Sequence, residues 1–365
     1  MTLILALETS CDETAVALVR DGRSIVSNVI ASQVDLHRQY GGIVPEVASR
    51  EHLSKIVPVL EEAMSSLQDP REEIDAIAVT HGPGLAGSLL VGVNVAKGLS
   101  YAWGKPMLGI HHLESHLYAN WLVEEREVDP PSFPALCLIV SGGHTALVLM
   151  EGHGRYRQLG QTLDDAVGEA FDKAARILSL GYPGGPAVER AAQSGHAQRY
   201  RLPRAWLRGT HDFSFSGLKT ALYRLAQEER RRESSLHYGE ESPSQVNPAE
   251  VPRLSRAAEF PPLSEGVTAD LAAAFQEAVV DVLTRKTAEA AAIHGALEVF
   301  LAGGVAANGR LREEMALRLH APLRVPSPRL CTDNAAMVGA AAYYRLIQGE
   351  RSDWDLDVHP NLPLV

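Results

Sequence analysis

"LILALETSCDETAVALV" (residues 3–19) and "ALCLIVSGGHTALVLM" (residues 135–150) decide the fold. Each reads as an apolar run, a turn of small or polar residues, and a second apolar run, which is a β-hairpin pattern. Each is followed by the same second unit. "DAIAVTHGPGLAGSLLVGVNVAKGLSYA" (75–102) reads as a buried strand, a Gly/Pro loop and a helix. "ALEVFLAGGVAANGRLREEMALRL" (296–319) repeats strand, glycine loop and helix. One hairpin and one strand–loop–helix in each half predict an α/β protein of two duplicated lobes, with the cleft between them as the ligand site. The expected N-terminal lobe is 1–128 and the C-terminal lobe 129–345. A tail, 346–365, is expected to pack back on the N-terminal lobe.

At 365 residues the chain is long for one core and natural for two. Hydrophobic content of 45% and charged content of 22% are ordinary for a globular protein. The net charge of −11 argues against a protein that wraps nucleic acid wholesale, since phosphate contacts need local positive charge. Cys11, Cys137 and Cys331 are far apart, with no CxxC pair, so neither a disulfide framework nor a cysteine zinc site is expected, and a reduced cytoplasm is. The apolar "MTLILAL" is too short for a signal peptide, and no run approaches a membrane span.

Two stretches stand apart. Residues 228–262 begin "EERRRESS" and hold Pro243, Pro248, Pro252, Pro261 and Pro262, a pattern expected of a surface insertion. Residues 190–211 carry Arg190, Arg199, Arg201, Arg204 and Arg208 and no acid. They read either as a solvated face or as a patch for phosphates.

The chemistry centres on three turns and a histidine pair. "SGGHT" (141–145) and "AGGVAANG" (302–309) follow strands directly, and glycine lets successive N–H groups approach one anion. The second opens a helix, whose N-terminus favours negative charge. "ETSCDET" (8–14) puts a strand-end carboxylate, small hydroxyls and Asp12 in the matching turn of the other lobe. No GxxxxGK[ST] loop occurs. In "HHLESHL" (111–117), His112 and His116 share one helical face, with Cβ atoms about 5–6 Å apart, a spacing that suits either a metal ion or helix packing. Glu114 should point elsewhere. A zincin protease needs glutamate directly after the first histidine; Leu113 stands there, so that reading lacks its base. "CTDNAAM" (331–337) offers Asp333 before an alanine-rich helix, where helix capping is the ordinary role.

Taken together, "LALETSCDETAVALV", "YGGIVPEVASREH", "GPGLAGSLLVG", "HHLESHL", "VSGGHT", "GEAFDKAA", "YPGGP", "FSFSGLKTA", "LAGGVAANGRLR" and "CTDNAAMVG" resemble the tRNA threonylcarbamoyladenosine transferase family of bacterial TsaD type, formerly called O-sialoglycoprotein endopeptidase. The motifs run in family order from about residue 3 to residue 345. The resemblance implies the two-lobed sugar kinase–Hsp70–actin (RNase H-like) fold. It implies a metal held by His112, His116 and Asp333, one divalent iron or zinc per chain. It places substrate binding at Ile139, Val140, Ser141, Gly142, Gly143, Asp172, Gly185 and Asn308, and matches Asp12 and Glu13 to the acidic pair of the first loop. A further ligand acid found after "YPGGP" in some relatives has only Glu189 near it here.

The implied reaction passes a threonylcarbamoyl group from threonylcarbamoyl-AMP to the exocyclic amine of the tRNA adenosine 3′ of the anticodon (position 37), in tRNAs reading codons that begin with adenine, and releases AMP. Implied partners are tRNA, a degenerate paralogous subunit and a small ATPase subunit, in the cytoplasm with no membrane. The amphipathic 47–67 stretch suits a partner face or internal packing. Because the amine is a weak nucleophile, orientation and carbonyl polarisation should dominate, with Asp12 or Glu13 as candidate base. A small-molecule kinase of the same superfamily and a non-catalytic scaffold are the competing readings; neither gives the histidine pair a purpose.

Overall fold

The computed structural model describes residues 1–123, 129–238 and 262–364. The first half runs β1 (Leu3–Glu8), β2 (Glu13–Arg20), β3 (Ser24–Ser32), α1 (Val34–Arg38), α2 (Pro45–Met64), α3 (Pro70–Glu73), β4 (Ala76–Gly82), α4 (Ala86–Trp103), β5 (Met107–His111) and α5 (His112–Tyr118). The second runs β6 (Ala135–Val140), β7 (Thr145–Gly152), β8 (Arg155–Gln161), α6 (Val167–Ile177), α7 (Gly184–Ala192), α8 (Ser216–Tyr238), α9 (Glu265–His294), β9 (Glu298–Ala302), α10 (Gly309–Arg318), β10 (Leu323–Arg324), α11 (Pro328–Cys331) and α12 (Ala335–Ile347).

The duplication is literal. One sheet is ordered β3-β2-β1-β4-β5 and the other β8-β7-β6-β9-β10. The antiparallel hairpins close at Glu8↔Ala15 and Val140↔Thr145, and the third partners, β4 and β9, pair parallel with β1 and β6. Both polar turns and both glycine loops therefore leave the same edge of their sheets and meet in the cleft.

Side-chain alternation along the strands sorts the core into layers. Leu5, Leu7, Val16 and Leu18 face outward onto α2 and α4. Leu136, Leu138, Val140 and Leu147 face outward onto α6, α8 and α9. The opposite faces, with Ile4, Ala6, Ala17, Cys137, Ile139 and Val148, join α5 and α12 in one shared central cluster. Alanine is the commonest residue there, so helix and sheet approach closely. A Cβ on Gly339 of α12 would sit 2.7 Å from Val19 Cγ2.

Two expectations meet detail here. Residues 228–238 continue α8, and buried Arg230 donates to Ile177 O at 2.7 Å, so the start of the expected 228–262 insertion is built into a helix. Residues 239–261 lie outside the described residues. In the 346–364 tail, Ser352 N donates to Met107 O and His359 N to His81 O, both at 2.8 Å, on the first-half sheet.

Candidate active site

A cavity of about 590 Å³ opens where the turns of the two lobes face each other. Ser10 to Glu13 line one wall, Ser141 to His144 and Asp172 the other, and His112 and Asp333 its floor.

His112 and His116 sit on α5, whose N-cap is itself a histidine: His111 Nδ1 accepts from Leu113 N at 3.1 Å. The ring centroids of His112 and His116 are 4.8 Å apart. Asp333 Oδ1 lies 3.6 Å from His112 Nε2 and 3.2 Å from His116 Nε2. Asp333 is not the helix cap. That role falls to Asn334, whose Oδ1 accepts from Met337 N at 3.1 Å, and this turns the Asp333 carboxylate toward the histidines.

Behind His112 stands Glu8, fully buried at the end of β1. Its Oε2 lies 3.0 Å from His112 Nδ1 and accepts from Thr80 Oγ1 at 2.7 Å, while Oε1 accepts from Ser10 N at 2.6 Å. A carboxylate on Nδ1 fixes the ring and turns Nε2 toward Asp333, the usual support of a metal-bound imidazole. Burial alone would depress His112, yet the Asp333 and Glu8 carboxylates outweigh it and push the group up to about 9. The field that retains a proton there favours any cation.

These residues fit a divalent metal. One donor atom from each of His112, His116 and Asp333 falls within 4.8 Å of the others. Both ring nitrogens of buried His116 lack a hydrogen bond of good geometry, a costly arrangement unless a ligand completes it. Two nitrogens and one oxygen suit zinc or iron and leave positions open. Glu114 does point away: it is buried against Arg345, at 2.7 Å from Nη2, and accepts from Tyr156 Oη at 2.7 Å.

The glycine turn of the second lobe offers two donors, not three. Ser141 N is already bonded to His144 O at 2.8 Å, whereas the N–H groups of Gly142 and Gly143 have no partner among the described residues. A Cβ on either glycine would meet nothing within 4 Å. Ile139 and Val140 lie on β6 with no exposed surface, so only their backbone could reach a ligand. Gly303 adopts φ 89°, and a Cβ there would strike Val140 O at 2.5 Å; the second glycine loop can press against the first only because this residue lacks one.

Asp172 lines the cavity and accepts from Gly184 N at 2.7 Å; burial raises its pKa against that hydrogen bond. Asn308 is occupied by structure: Oδ1 caps Leu311 N at 2.9 Å and Nδ2 donates to Gln276 Oε1 at 2.9 Å. Gly185 lies in the first turn of α7, with open space beside it, and like Asn308 is not in the cavity wall. Glu189 of α7 accepts from Gly309 N at 2.7 Å, tying α7 to the N-terminus of α10. Asp12 and Glu13 both line the cavity. Burial, and then the neighbouring Asp12 carboxylate, raise Glu13 well above the ordinary carboxylate range.

The sequence profile described as TsaD, tRNA N6-adenosine threonylcarbamoyltransferase, matches residues 24–340. A protein of that name from Thermomicrobium roseum is 58% identical over 366 residues, covering 100% of this chain and 97% of the relative. Another, from Symbiobacterium thermophilum, is 52% identical and covers 99% and 97%. The chain belongs to the tRNA N6-adenosine threonylcarbamoyltransferase family. Among solved structures, HypF of T. kodakarensis superposes with a TM-score of 0.57 at 12% identity, over 95% of this chain and 48% of that one. A full-length HypF in its phosphate- and nucleotide-bound form gives 0.55 at 12%, over 97% and 47%. At that identity the likeness concerns the two-lobed fold of the sugar kinase–Hsp70–actin type.

Within a member of this transferase family, several cavity residues were not singled out from sequence. Glu8 was legible only as a strand-end carboxylate. His144 and Tyr182 join the wall from turns, and Lys173 and Arg176 from α6, whose placement against the first lobe the sequence does not give. Burial depresses His144 to about 4, with His112 adding to the effect, so its ring is neutral near pH 7. Of the five arginines in 190–211, two are internally engaged: Arg199 pairs with Asp270 at 2.6 Å and Arg204 with Asp281 at 3.4 Å.

Proposed function

We propose that the chain transfers the threonylcarbamoyl group of threonylcarbamoyl-AMP to N6 of adenosine 37 in tRNAs reading codons that begin with adenine, releasing AMP. Besides family membership, the carrying observation is one cleft that joins a His112/His116/Asp333 cluster to the unpartnered Gly142 and Gly143 N–H groups. The amine nitrogen attacks the carbamoyl carbon, the bond from that carbon to the phosphate oxygen breaks, AMP leaves with the electron pair, and the amine loses one proton.

A divalent ion held by His112, His116 and Asp333 would supply Lewis acidity and a template for substrate oxygens. The chain's own groups do the rest. Gly142 and Gly143 donate to oxygens that gain negative charge, where fixed donors are most effective. Asp172 accepts from hydroxyls of the donor nucleotide. Glu13, more basic than an ordinary carboxylate, takes the amine proton, with Asp12 alongside it. Asn308 and Gly185 serve the adenylate end from outside the cavity wall: Asn308 holds the start of α10, with Oδ1 on Leu311 N and its carbonyl on Arg312 N, and Gly185 leaves open space in the first turn of α7.

The tRNA, the donor, a paralogous subunit and a small ATPase subunit complete the proposed partners, in the cytoplasm. Among the described residues no helix is long and apolar enough to cross a membrane. A partner face on α2 is supported by Leu53 and Val57, one turn apart and 65% and 56% exposed. The expected lobes, 1–128 and 129–345 with tail 346–365, remain the proposed domain division. The test is incorporation of isotope-labelled threonine into unmodified tRNA when the adenylate is supplied. Absence of labelled tRNA with all proposed partners present would sink the reading; cleavage of a protein substrate instead would favour a peptidase.

A further inference from the structure

Beside the cleft lies a second, larger groove of about 940 Å³. It shares Gly41, Asp172, Arg176 and Tyr182 with the cleft wall, so the two are continuous. Their charges differ. The cleft carries Asp12, Glu13, Glu169, Asp172 and Asp333 against Lys173 and Arg176, whereas the groove has Arg38, Arg176 and Arg190 against Asp172 alone.

The three guanidinium groups come from both halves of the chain. Arg38, at the end of α1, donates through Nε to Tyr182 O at 3.3 Å. Arg176, at the end of α6, donates through Nη2 to Gly41 O at 2.9 Å. The Arg190 side chain has no partner among the described residues and is exposed. Arg38 also pairs with Asp35 at 2.9 Å, but those side chains are 56% and 88% exposed, where an ion pair contributes little and yields readily to a better anion. Tyr40 stands at the groove with 58% of its surface exposed.

Exposed arginines along a channel suit backbone phosphates, and an exposed aromatic ring suits a splayed base. We infer that this groove seats the single-stranded anticodon loop, with Arg38 and Arg190 on flanking phosphates and Tyr40 under an unstacked base, so that the target adenosine enters the adjoining cleft. This rests on the proposed transfer to tRNA. Of the 190–211 arginines it uses Arg190, at the opening of the site, while Arg199 and Arg204 are held by Asp270 and Asp281.

The test uses the full chain and an unmodified tRNA transcript. Binding is measured across a salt series for wild type, the double variant R38Q/R190Q, and Y40A. Loss of two phosphate contacts should weaken binding on the order of tenfold and reduce the salt slope by about 1.4 for a single strand. Y40A should weaken binding on the order of tenfold with the slope unchanged, because stacking releases no counterions. AMP affinity checks that the cleft of each variant is intact. Unchanged affinity and slope in R38Q/R190Q, or no tRNA binding by the wild type at low salt, overturns the groove assignment. If wild type labels tRNA with threonine while R38Q/R190Q binds normally, only the groove is wrong. If the groove variants behave as expected and wild type transfers nothing in the complete system, the transfer reading falls and the groove stands.

Discussion

The carboxylate of Glu8 decides which nitrogen His112 turns toward the cleft. Replacing it by glutamine keeps the size but removes the charge that orients and polarises the ring. Glu8→Gln should weaken metal retention by about 10–100-fold, measured by competition with a chelator, while the thermal transition stays cooperative. Removing both imidazoles should do more: His112→Ala/His116→Ala should lose metal and transfer together. Full metal occupancy of that double variant by elemental analysis would falsify the ligand assignment. The histidine pair was legible from sequence because a spacing of four residues fixes a shared helical face. Asp333 was not legible from spacing. Whether an aspartate or the asparagine beside it caps a helix depends on backbone angles, and Asn334 took the cap. Glu8 was hidden for a similar reason, since its partner lies 104 residues away.

At the scale of elements, strand alternation and glycine loops predicted both hairpins and both strand–loop–helix units, because those signals are local. Helix ends were less accessible. The acidic and basic run at 228–238 reads as solvent-exposed, but α8 carries it as a continuation, with Arg230 reaching into the lobe. The start of that helix is set by a distant residue. Asp164 accepts from Phe215 N at 2.8 Å and Ser216 N at 3.2 Å, and from the Ser214 and Ser216 hydroxyls at 2.6 and 2.7 Å. Burial is the largest single influence and opposes its ionisation, but these donors together outweigh it and hold its pKa below the ordinary 3.8. A depressed carboxylate contributes stability above its unfolded pKa and loses it as pH falls through the folded value. Asp164→Asn should therefore cost about 1–2 kcal/mol at pH 7, and the gap to wild type should close below pH 3.8. Urea midpoints at a series of pH values measure both. Gly339→Val should cost about 1–3 kcal/mol by overpacking against Val19, read from the same midpoints.

For the molecule as a whole, the duplicated sequence pattern gave the architecture, while the route of the chain between halves could be seen only in three dimensions. Ser264 N donates to Glu233 Oε2 at 3.0 Å, so the start of α9 lies against α8. A short Gly/Ser linker replacing 239–261 should therefore leave a single cooperative unfolding transition and near-normal transfer. A broadened or lost transition would show that the segment belongs to the fold.

The central layer has a further consequence. α12, encoded last, lies on the sheet of the first half, and α5 lies between that sheet and β6 and β9 of the second. Cut between residues 123 and 129, the gene would encode two polypeptides, each missing a helix that its neighbour carries or contacts. The first would expose the alanine-lined face of β1 and β2. The second would carry α12 with no sheet to cover it. Expressed apart, the fragments should aggregate or remain unfolded; expressed together, they should reassemble as an obligate heterodimer. The pair would be a complementation reporter whose signal, metal capture by His112 and His116 from one fragment and Asp333 from the other, exists only when both are joined.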